Sequence, residues 1–161
     1  MGDAEATEDT ERENLNGLTE KVINAAMEVH RVLGPGFLES FYEQALCLEL
    51  AERAIPFARQ SGFSVFYKGM PLGEARVDLV VDRRLLVELK ATGGHAPIHL
   101  AQVLSYLKAT GLTLGLLVNF NVPLLHLGLR RVIHTPATNP SVASVPSASP
   151  SLPHASERAP D

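Results

Sequence analysis

The sequence predicts one α/β domain in which a mixed β-sheet is flanked by helices. Two helical patterns come first, three β-rich segments follow, and a third helical pattern leads into one or two further strands. Helices and strands mixed in this order are typical of a sheet covered by helices. The composition, 45% hydrophobic and 20% charged over 161 residues, is that of a single soluble globular domain.

The folded unit is expected to span residues 18–133, with a disordered tail on each side. Residues 1–17 carry six acidic side chains and one basic side chain and show no buried stripe. Residues 134–161 are rich in Pro, Ser and Ala. The second tail cannot bury enough apolar surface to offset the entropy lost on ordering, so it is predicted to be disordered. The acidic first tail is also expected to be disordered.

Two helices are expected at the start of the folded unit. The first runs from about residue 20 to residue 33, with Thr19 as its N-cap, and the second from about residue 38 to residue 53. Gly34-Pro35-Gly36 separates them. Apolar residues at the helical period predict the buried stripes: Val22, Ile23, Ala26, Met27 and Leu33 in the first helix, and Leu38, Phe41, Ala45 and Leu48 in the second.

The strands and the third helix follow from composition and turn signals. Residues 63–67, 75–81 and 85–91 are rich in β-forming types and are separated by turn-like stretches. Pro97 suits the first turn of a helix that runs to about Lys108 and is stopped by Gly111. Residues 114–120 form a continuous apolar run typical of a buried strand, and residues 129–133 predict a short last one.

The segment ARVDLVVDRRLLVELKA predicts an antiparallel hairpin with its loop centred on Arg83. Paired residue numbers then sum to 166. One face of the hairpin becomes entirely apolar, because side chains alternate between the two faces of a strand. The opposite face carries Asp78 directly across from Glu88, with Lys90 two residues further along the same strand.

Opposed carboxylates repel each other and destabilise a strand pair, but a hard divalent cation between them removes the repulsion. Mg²⁺ prefers oxygen ligands and usually takes one or two carboxylates, completing its shell with water and phosphate oxygens. Asp78 and Glu88 are therefore candidate ligands, and Lys90 is a candidate for stabilising a phosphate. The alternative is an exposed sheet face on which Arg76, Asp78, Glu88 and Lys90 are solvated charges.

Four motifs in order resemble the small GxxExxY protein family of the PD-(D/E)XK nuclease superfamily. Gly36, Glu39 and Tyr42 follow the pattern GxxExxY. Val77-Asp78 together with Glu88-Leu89-Lys90 resembles the D…ExK core, with Val77 at the position of the proline in the superfamily's name. Gln102 and Tyr106 resemble the QxxxY element, and the run GLLVNF at residues 115–120 completes the pattern. The resemblance covers about residues 18–133.

The resemblance implies a restriction-endonuclease-like core and a nuclease that uses Mg²⁺ or Mn²⁺. It implies metal ligation by Asp78 and Glu88, with the Leu89 carbonyl and Glu39 as further ligands, and Lys90 as the catalytic lysine. Gln102 and Tyr106 are implied to reach the active site. From the residues alone, the favoured interpretation of Glu39 is a surface residue that stabilises a helix N-terminus. Gln102 and Tyr106 are equally part of a solvated face.

The expected partner is nucleic acid, and DNA is favoured over RNA. The sequence does not decide whether the chain forms a homodimer. Residues 18–133 carry twelve Lys and Arg against ten Asp and Glu, a balance that permits a polyanionic substrate without indicating one. No membrane span and no signal peptide are expected, and Cys47 is expected to be a buried thiol, so a cytoplasmic location is predicted. The alternative function is a noncatalytic nucleic-acid-binding or protein-interaction module that keeps the nuclease fold.

Overall fold

The computed structural model describes residues 3–94 and 96–136. Three helices, five strands and one short 3-10 helix follow one another in the chain: α1 Asp3–Leu33, α2 Glu39–Glu52, β1 Phe57–Tyr67, β2 Met70–Val81, β3 Leu85–Lys90, α3 Pro97–Thr110, β4 Leu114–Asn119, the 3-10 helix Leu125–Gly128, and β5 Leu129–Ile133. The predicted order of elements is confirmed.

The five strands form one mixed sheet in the order β1-β2-β3-β4-β5. All neighbouring strands are antiparallel except β3 and β4, which are parallel. A parallel pair needs a crossover connection, and α3 provides it. The predicted α/β class with a mixed sheet flanked by helices is therefore confirmed.

Both faces of the sheet are buried. The larger core lies under α1 and α2 and includes Leu79, Val87 and Phe120. A smaller core lies under α3 and contains Val77, Leu86, Val103, Leu107 and Leu117. No face of the β3 strand is therefore left to solvent, and a charged side chain on β3 must lie in one of these two layers.

Helix α1 begins much earlier than the sequence predicted. It starts at Asp3, and Gly17, the expected edge of the disordered segment, lies inside it. Residues 4–16 contain Ala, Glu and Arg, which favour helix, and no proline, so they continue the helix although their side chains are largely exposed. Thr19 is not the N-cap: its Oγ1 donates to the Leu15 carbonyl at 2.8 Å. Residues 1–2 and 137–161 lie outside the described part of the chain, so the disorder expected of the second tail stays a prediction.

The buried side of α2 is not the predicted one. Tyr42, Glu43, Leu46, Cys47 and Leu50 face the protein interior, whereas Leu38, Phe41 and Leu48 are 71%, 53% and 63% exposed. Two apolar stripes about a quarter turn apart share the helical period. The sheet selected the stripe that contains Tyr42, because this ring stacks on Phe120 of the core, with 4.5 Å between ring centroids.

The prediction for Cys47 has a direct outcome. Cys47 is buried, as expected, and burial raises the pKa of its thiol. Among residues 3–94 and 96–136, no helix combines the length and the apolar character needed to cross a bilayer.

Candidate active site

The β2–β3 hairpin has the register that the sequence predicted. Leu79 pairs with Val87, Val80 with Leu86, and Val81 with Leu85, so each pair of numbers sums to 166. The tight turn is possible because Asp82 and Arg83 adopt the left-handed conformation, with φ of 49° and 60°. This register brings Asp78 and Glu88 to equivalent positions on the two strands.

Backbone pairing between β2 and β3 gives way to a side-chain contact at Asp78. The Leu89 N–H donates to Asp78 Oδ2 at 2.8 Å, so the carboxylate takes the place of a backbone acceptor. On the other edge of β3, the Lys90 carbonyl accepts from the Phe120 N–H at 2.9 Å. Successive residues in a strand direct their backbone groups to opposite edges. The Leu89 carbonyl is therefore directed to the edge that Asp78 occupies.

The hairpin face predicted to be entirely apolar changes at Asp78. Leu79 and Val81 lie in the larger core as expected, but Val77 packs in the smaller core with Leu86. The strand is irregular at Asp78, so the simple alternation used in the prediction fails beyond that residue.

Glu88 is a buried carboxylate with an unsatisfied oxygen. It is only 5% exposed, and its Oε2 has no hydrogen-bond partner. Burial raises the pKa of Glu88 to about 9, aided by hydrogen bonding to and repulsion from Asp78, while Lys90 acts in the opposite direction. Asp78 and Lys90 are half-buried and Arg76 is exposed. The alternative of four solvated charges is therefore wrong for Glu88.

Glu39 lies close enough to join this cluster. It is the first residue of α2 and is half-buried. Its pKa is raised by burial and then by repulsion from Asp78, whereas Lys90 lowers it. The alternative of a plain surface residue does not account for this environment, since the charges that act on Glu39 belong to the candidate site.

Tyr42 has a structural task next to Glu39. Its hydroxyl donates to the Gly34 carbonyl at 2.6 Å and accepts from the Phe37 N–H at 3.1 Å. These two bonds hold the loop between α1 and α2, and the ring lies in the core. Of the GxxExxY motif, Tyr42 thus anchors the loop and Glu39 faces the carboxylates.

Gln102 and Tyr106 bond to each other on α3. Gln102 Nε2 donates to the Tyr106 hydroxyl at 2.9 Å, and the Tyr106 ring meets Phe63 of β1 edge-on, with 5.0 Å between centroids. Both residues are half-buried, beside the buried Val103. They are not part of a freely solvated face, and no hydrogen bond among the described residues joins them to Asp78, Glu88 or Lys90.

Asn119 was missed by the sequence analysis. It is fully buried and lies beside Lys90 in the β3–β4 register. Its Oδ1 accepts from the Thr92 and Asn121 N–H groups at 3.2 and 3.1 Å, and its Nδ2 donates to the Thr92 carbonyl at 2.9 Å. Asn119 therefore fixes the chain as it leaves Lys90. A lone amide inside an apolar strand run was the available signal.

A second missed group surrounds Asp78 from the β1 side. Buried Glu43 accepts from Arg59 Nε at 2.9 Å and from Gln60 Nε2 at 2.8 Å, and Gln60 Nε2 also lies 3.3 Å from Asp78 Oδ1. Nothing in the spacing of these residues indicated that they meet, because β1 and α2 are brought together only by the fold.

The donor set of the site fits a hard divalent cation. All candidate ligand atoms are oxygens, and the unpaired Glu88 Oε2 lacks the partner that a buried carboxylate oxygen normally has. Within the described ranges, no group of three or more His, Cys, Asp or Glu side chains is arranged to hold a metal ion. A cation at Asp78 and Glu88 therefore needs a backbone carbonyl, water or substrate to complete its shell, as Mg²⁺ commonly does.

A family model described as the PD-(D/E)XK nuclease superfamily matches residues 16–132. The chain belongs to the PD-(D/E)XK nuclease superfamily. Members of this superfamily are generally nucleases and typically use divalent metals such as Mg²⁺. The mixed sheet with flanking helices agrees with the restriction-endonuclease-like fold expected of a PD-(D/E)XK protein. No curated protein and no solved structure matches the chain.

Proposed function

We propose that this chain is a Mg²⁺- or Mn²⁺-dependent nuclease that hydrolyses phosphodiester bonds, with DNA as its substrate. The observation that carries the proposal is the buried Glu88 carboxylate, whose Oε2 has no partner and whose neighbour is Asp78. Burying a carboxylate beside a second one is costly, and the pKa of Glu88 is raised although Lys90 acts in the opposite direction. A cation-binding role gives a physical reason for the arrangement.

The Asp78 and Glu88 carboxylates and the Leu89 carbonyl would hold the metal. Glu39 is proposed as a further ligand that would have to move towards the ion, since the three carboxylates are not arranged around one position in the described structure. Asp78 has one oxygen committed to the Leu89 N–H, which fixes the carboxylate next to the Leu89 backbone. Glu39 approaches from α2 and carries a pKa already raised by burial and by Asp78. A bound divalent ion polarises a phosphoryl oxygen and lowers the pKa of water that it binds.

Lys90 is proposed to stabilise the negative charge that develops on the phosphate. It projects from the same strand as Glu88, and its charge already acts on Glu88 and Glu39. Its position is secured by Asn119, which binds the following backbone at Thr92. A positioned cation of this kind stabilises a transition state more effectively than a mobile one, because it need not reorganise during the reaction.

Gln102 and Tyr106 are proposed to contact the substrate as a bonded pair. The Gln102 amide donates to the Tyr106 hydroxyl, so this hydroxyl retains its own proton for donation to a phosphate oxygen. The packing of the Tyr106 ring on Phe63 fixes the hydroxyl relative to β1. We further propose membership of the GxxExxY family, supported by the separate tasks of Glu39 and Tyr42. Homodimerisation and a cytoplasmic location stay predictions.

Calorimetric titration with Mn²⁺ tests the metal site. We expect binding by the wild type and its loss in Asp78→Asn and Glu88→Gln. Asp82→Asn is the matched control, because Asp82 is a carboxylate of the same hairpin that pairs with Arg84 at 2.7 Å outside the site. A plasmid and oligonucleotide cleavage assay follows, in which Asp78→Ala and Lys90→Ala should be inactive but folded.

The alternative function is a noncatalytic nucleic-acid-binding or protein-interaction module. It shares the fold but predicts no dependence on a divalent ion. Wild-type protein that binds no Mn²⁺, even with an oligonucleotide present, would contradict the nuclease proposal. Retained oligonucleotide binding in Lys90→Ala and Asp78→Ala, without any cleavage by the wild type, would favour the module instead.

A further inference from the structure

The β1–β2 strand pair bends at the point where it reaches Asp78. Arg59 pairs with Leu79 and Ser61 pairs with Val77, so one register continues across this point, but Gln60 and Asp78 between them are not paired. Gln60 has a φ of 49°, in the left-handed region that residues with a Cβ adopt rarely. Such strained backbone persists only where the surrounding structure enforces it, and it clusters at functional sites.

The bend also moves side chains from one layer of the protein to the other. On β1, Phe57 packs against the larger core and Phe63 against the smaller one. On β2, Leu79 and Val77 divide in the same way. Residues an even number apart in a regular strand share a face, so both strands change faces at Gln60 and Asp78. These two side chains are therefore placed at the bend itself.

The Gln60 amide spans two carboxylates. Its Nε2 donates to Glu43 Oε1 at 2.8 Å and lies 3.3 Å from Asp78 Oδ1. An amide nitrogen carries two hydrogens, so it has one for each carboxylate. Because Asp78 Oδ2 accepts from the Leu89 N–H, both oxygens of Asp78 then have a donor. The carboxylate cannot rotate without losing one of these contacts.

Glu43 supplies a rigid attachment for this bridge. It is a buried residue of α2, and its neighbours on the buried side of that helix, Tyr42 and Leu46, lie in the larger core. Arg59 neutralises it through a contact of 2.9 Å. Glu43 does not belong to the proposed ligands, and its Oε1 holds the donor nitrogen of the Gln60 amide in a fixed place.

We infer that Gln60 is a positioning residue that orients the Asp78 carboxylate by bridging it to buried Glu43. A residue needed only to bend the strand would do better as glycine, which adopts positive φ without a steric cost. The amide is what glycine lacks. The consequence for metal binding rests on the proposed function, whereas the bridge itself does not.

The bridge is tested first in metal-free protein, by amide hydrogen exchange in Gln60→Gly. This variant keeps the left-handed backbone and removes the side chain together with its amide. Lys68→Gly is the matched control, since Lys68 has the same φ of 49° and lies in the β1–β2 turn. We expect the Leu89 N–H to exchange roughly fivefold faster in Gln60→Gly, the change that loss of one hydrogen bond gives. Lys68→Gly should leave it unchanged, and Val87 serves as an internal reference.

Mn²⁺ titration of the same variants tests the consequence. We expect Gln60→Gly to weaken binding roughly tenfold or more, as loss of an outer-shell contact does, with Lys68→Gly equal to wild type. Gln60→Met, which keeps the side-chain length without the amide, should match Gln60→Gly and replaces it if the glycine variant unfolds.

The outcomes separate the two hypotheses. A Leu89 N–H exchange rate in Gln60→Gly equal to that of the wild type would overturn the bridge. If the wild type binds Mn²⁺ and Gln60→Gly binds it with the same affinity, the positioning role is overturned. If the wild type binds no Mn²⁺, the proposed function fails, and the Leu89 exchange rate still decides whether Gln60 holds Asp78.

Discussion

Replacing Glu88 by glutamine should stabilise the metal-free protein at neutral pH. The folded state raises the pKa of Glu88 from 4.5 to about 9, chiefly through burial. The folded protein therefore retains a proton that the unfolded chain releases above pH 4.5. Stability from this group is complete below that pH and is lost as the pH rises towards 9.

The magnitude at pH 7 follows from the distance to the unfolded pKa. About 2.5 pH units separate pH 7 from the unfolded pKa of 4.5, and each unit corresponds to about 1.4 kcal/mol. At pH 7 the wild type therefore loses on the order of 3 kcal/mol of stability. Glutamine has the shape of the protonated glutamic acid and does not titrate. Glu88→Gln should therefore exceed wild type by on the order of 3 kcal/mol in free energy of unfolding at pH 7, and by almost nothing at pH 4.5.

Urea unfolding followed by far-ultraviolet circular dichroism in EDTA measures this difference, since the chain has no tryptophan. Both proteins are compared at pH 5, 7 and 8.5, and the difference between them removes the contribution of every other titrating group. Asp82→Asn should parallel the wild type. A Glu88→Gln variant whose stability follows the wild type at all three pH values would refute a buried, proton-bearing Glu88.

Three further predictions follow from the same contacts. Saturating Mn²⁺ should raise the free energy of unfolding of the wild type by about 2.7 kcal/mol at a hundred times the dissociation constant; Asp78→Asn should show no such rise in a thermal melt. Asn119→Ala should cost about 1–3 kcal/mol in urea unfolding, because the Thr92 backbone loses both of its hydrogen bonds to the Asn119 amide. The variant should also lower kcat, because Lys90 is then held less firmly; full activity would contradict the positioning of Lys90 by this amide. Tyr42→Phe keeps the ring on Phe120 but loses the bonds to Gly34 and Phe37, at a cost of about 1–2 kcal/mol, whereas Tyr42→Ala should cost about 3–5 kcal/mol; equal losses would show that the hydroxyl, not the ring, carries the stability.

The candidate site could be predicted in part because it is local. Asp78 and Glu88 lie on one hairpin, where the turn at Arg83 and the alternation of side chains fix the register. Their opposition follows from the eleven residues 78–88. No local pattern indicated the contact between Glu43 and Gln60, because it requires α2 to lie against β1.

Patterns with two solutions are where the sequence analysis failed. Helix α2 has two apolar stripes, and only contact with Phe120 selects the one that contains Tyr42. The predicted start of helix α1 is too late in the chain. Gly17 and the acidic residues before it resemble a tail, although they continue the helix.

The sequence by itself determined the α/β class, the order of elements and the opposition of Asp78 and Glu88, because helical period, strand alternation and turn chemistry act over a few residues. Only the tertiary structure decided that Glu88 is buried with an unpaired oxygen, and that the strands bend at Gln60. Burial and strain depend on which elements pack together, and that is set by the whole chain rather than by any segment of it.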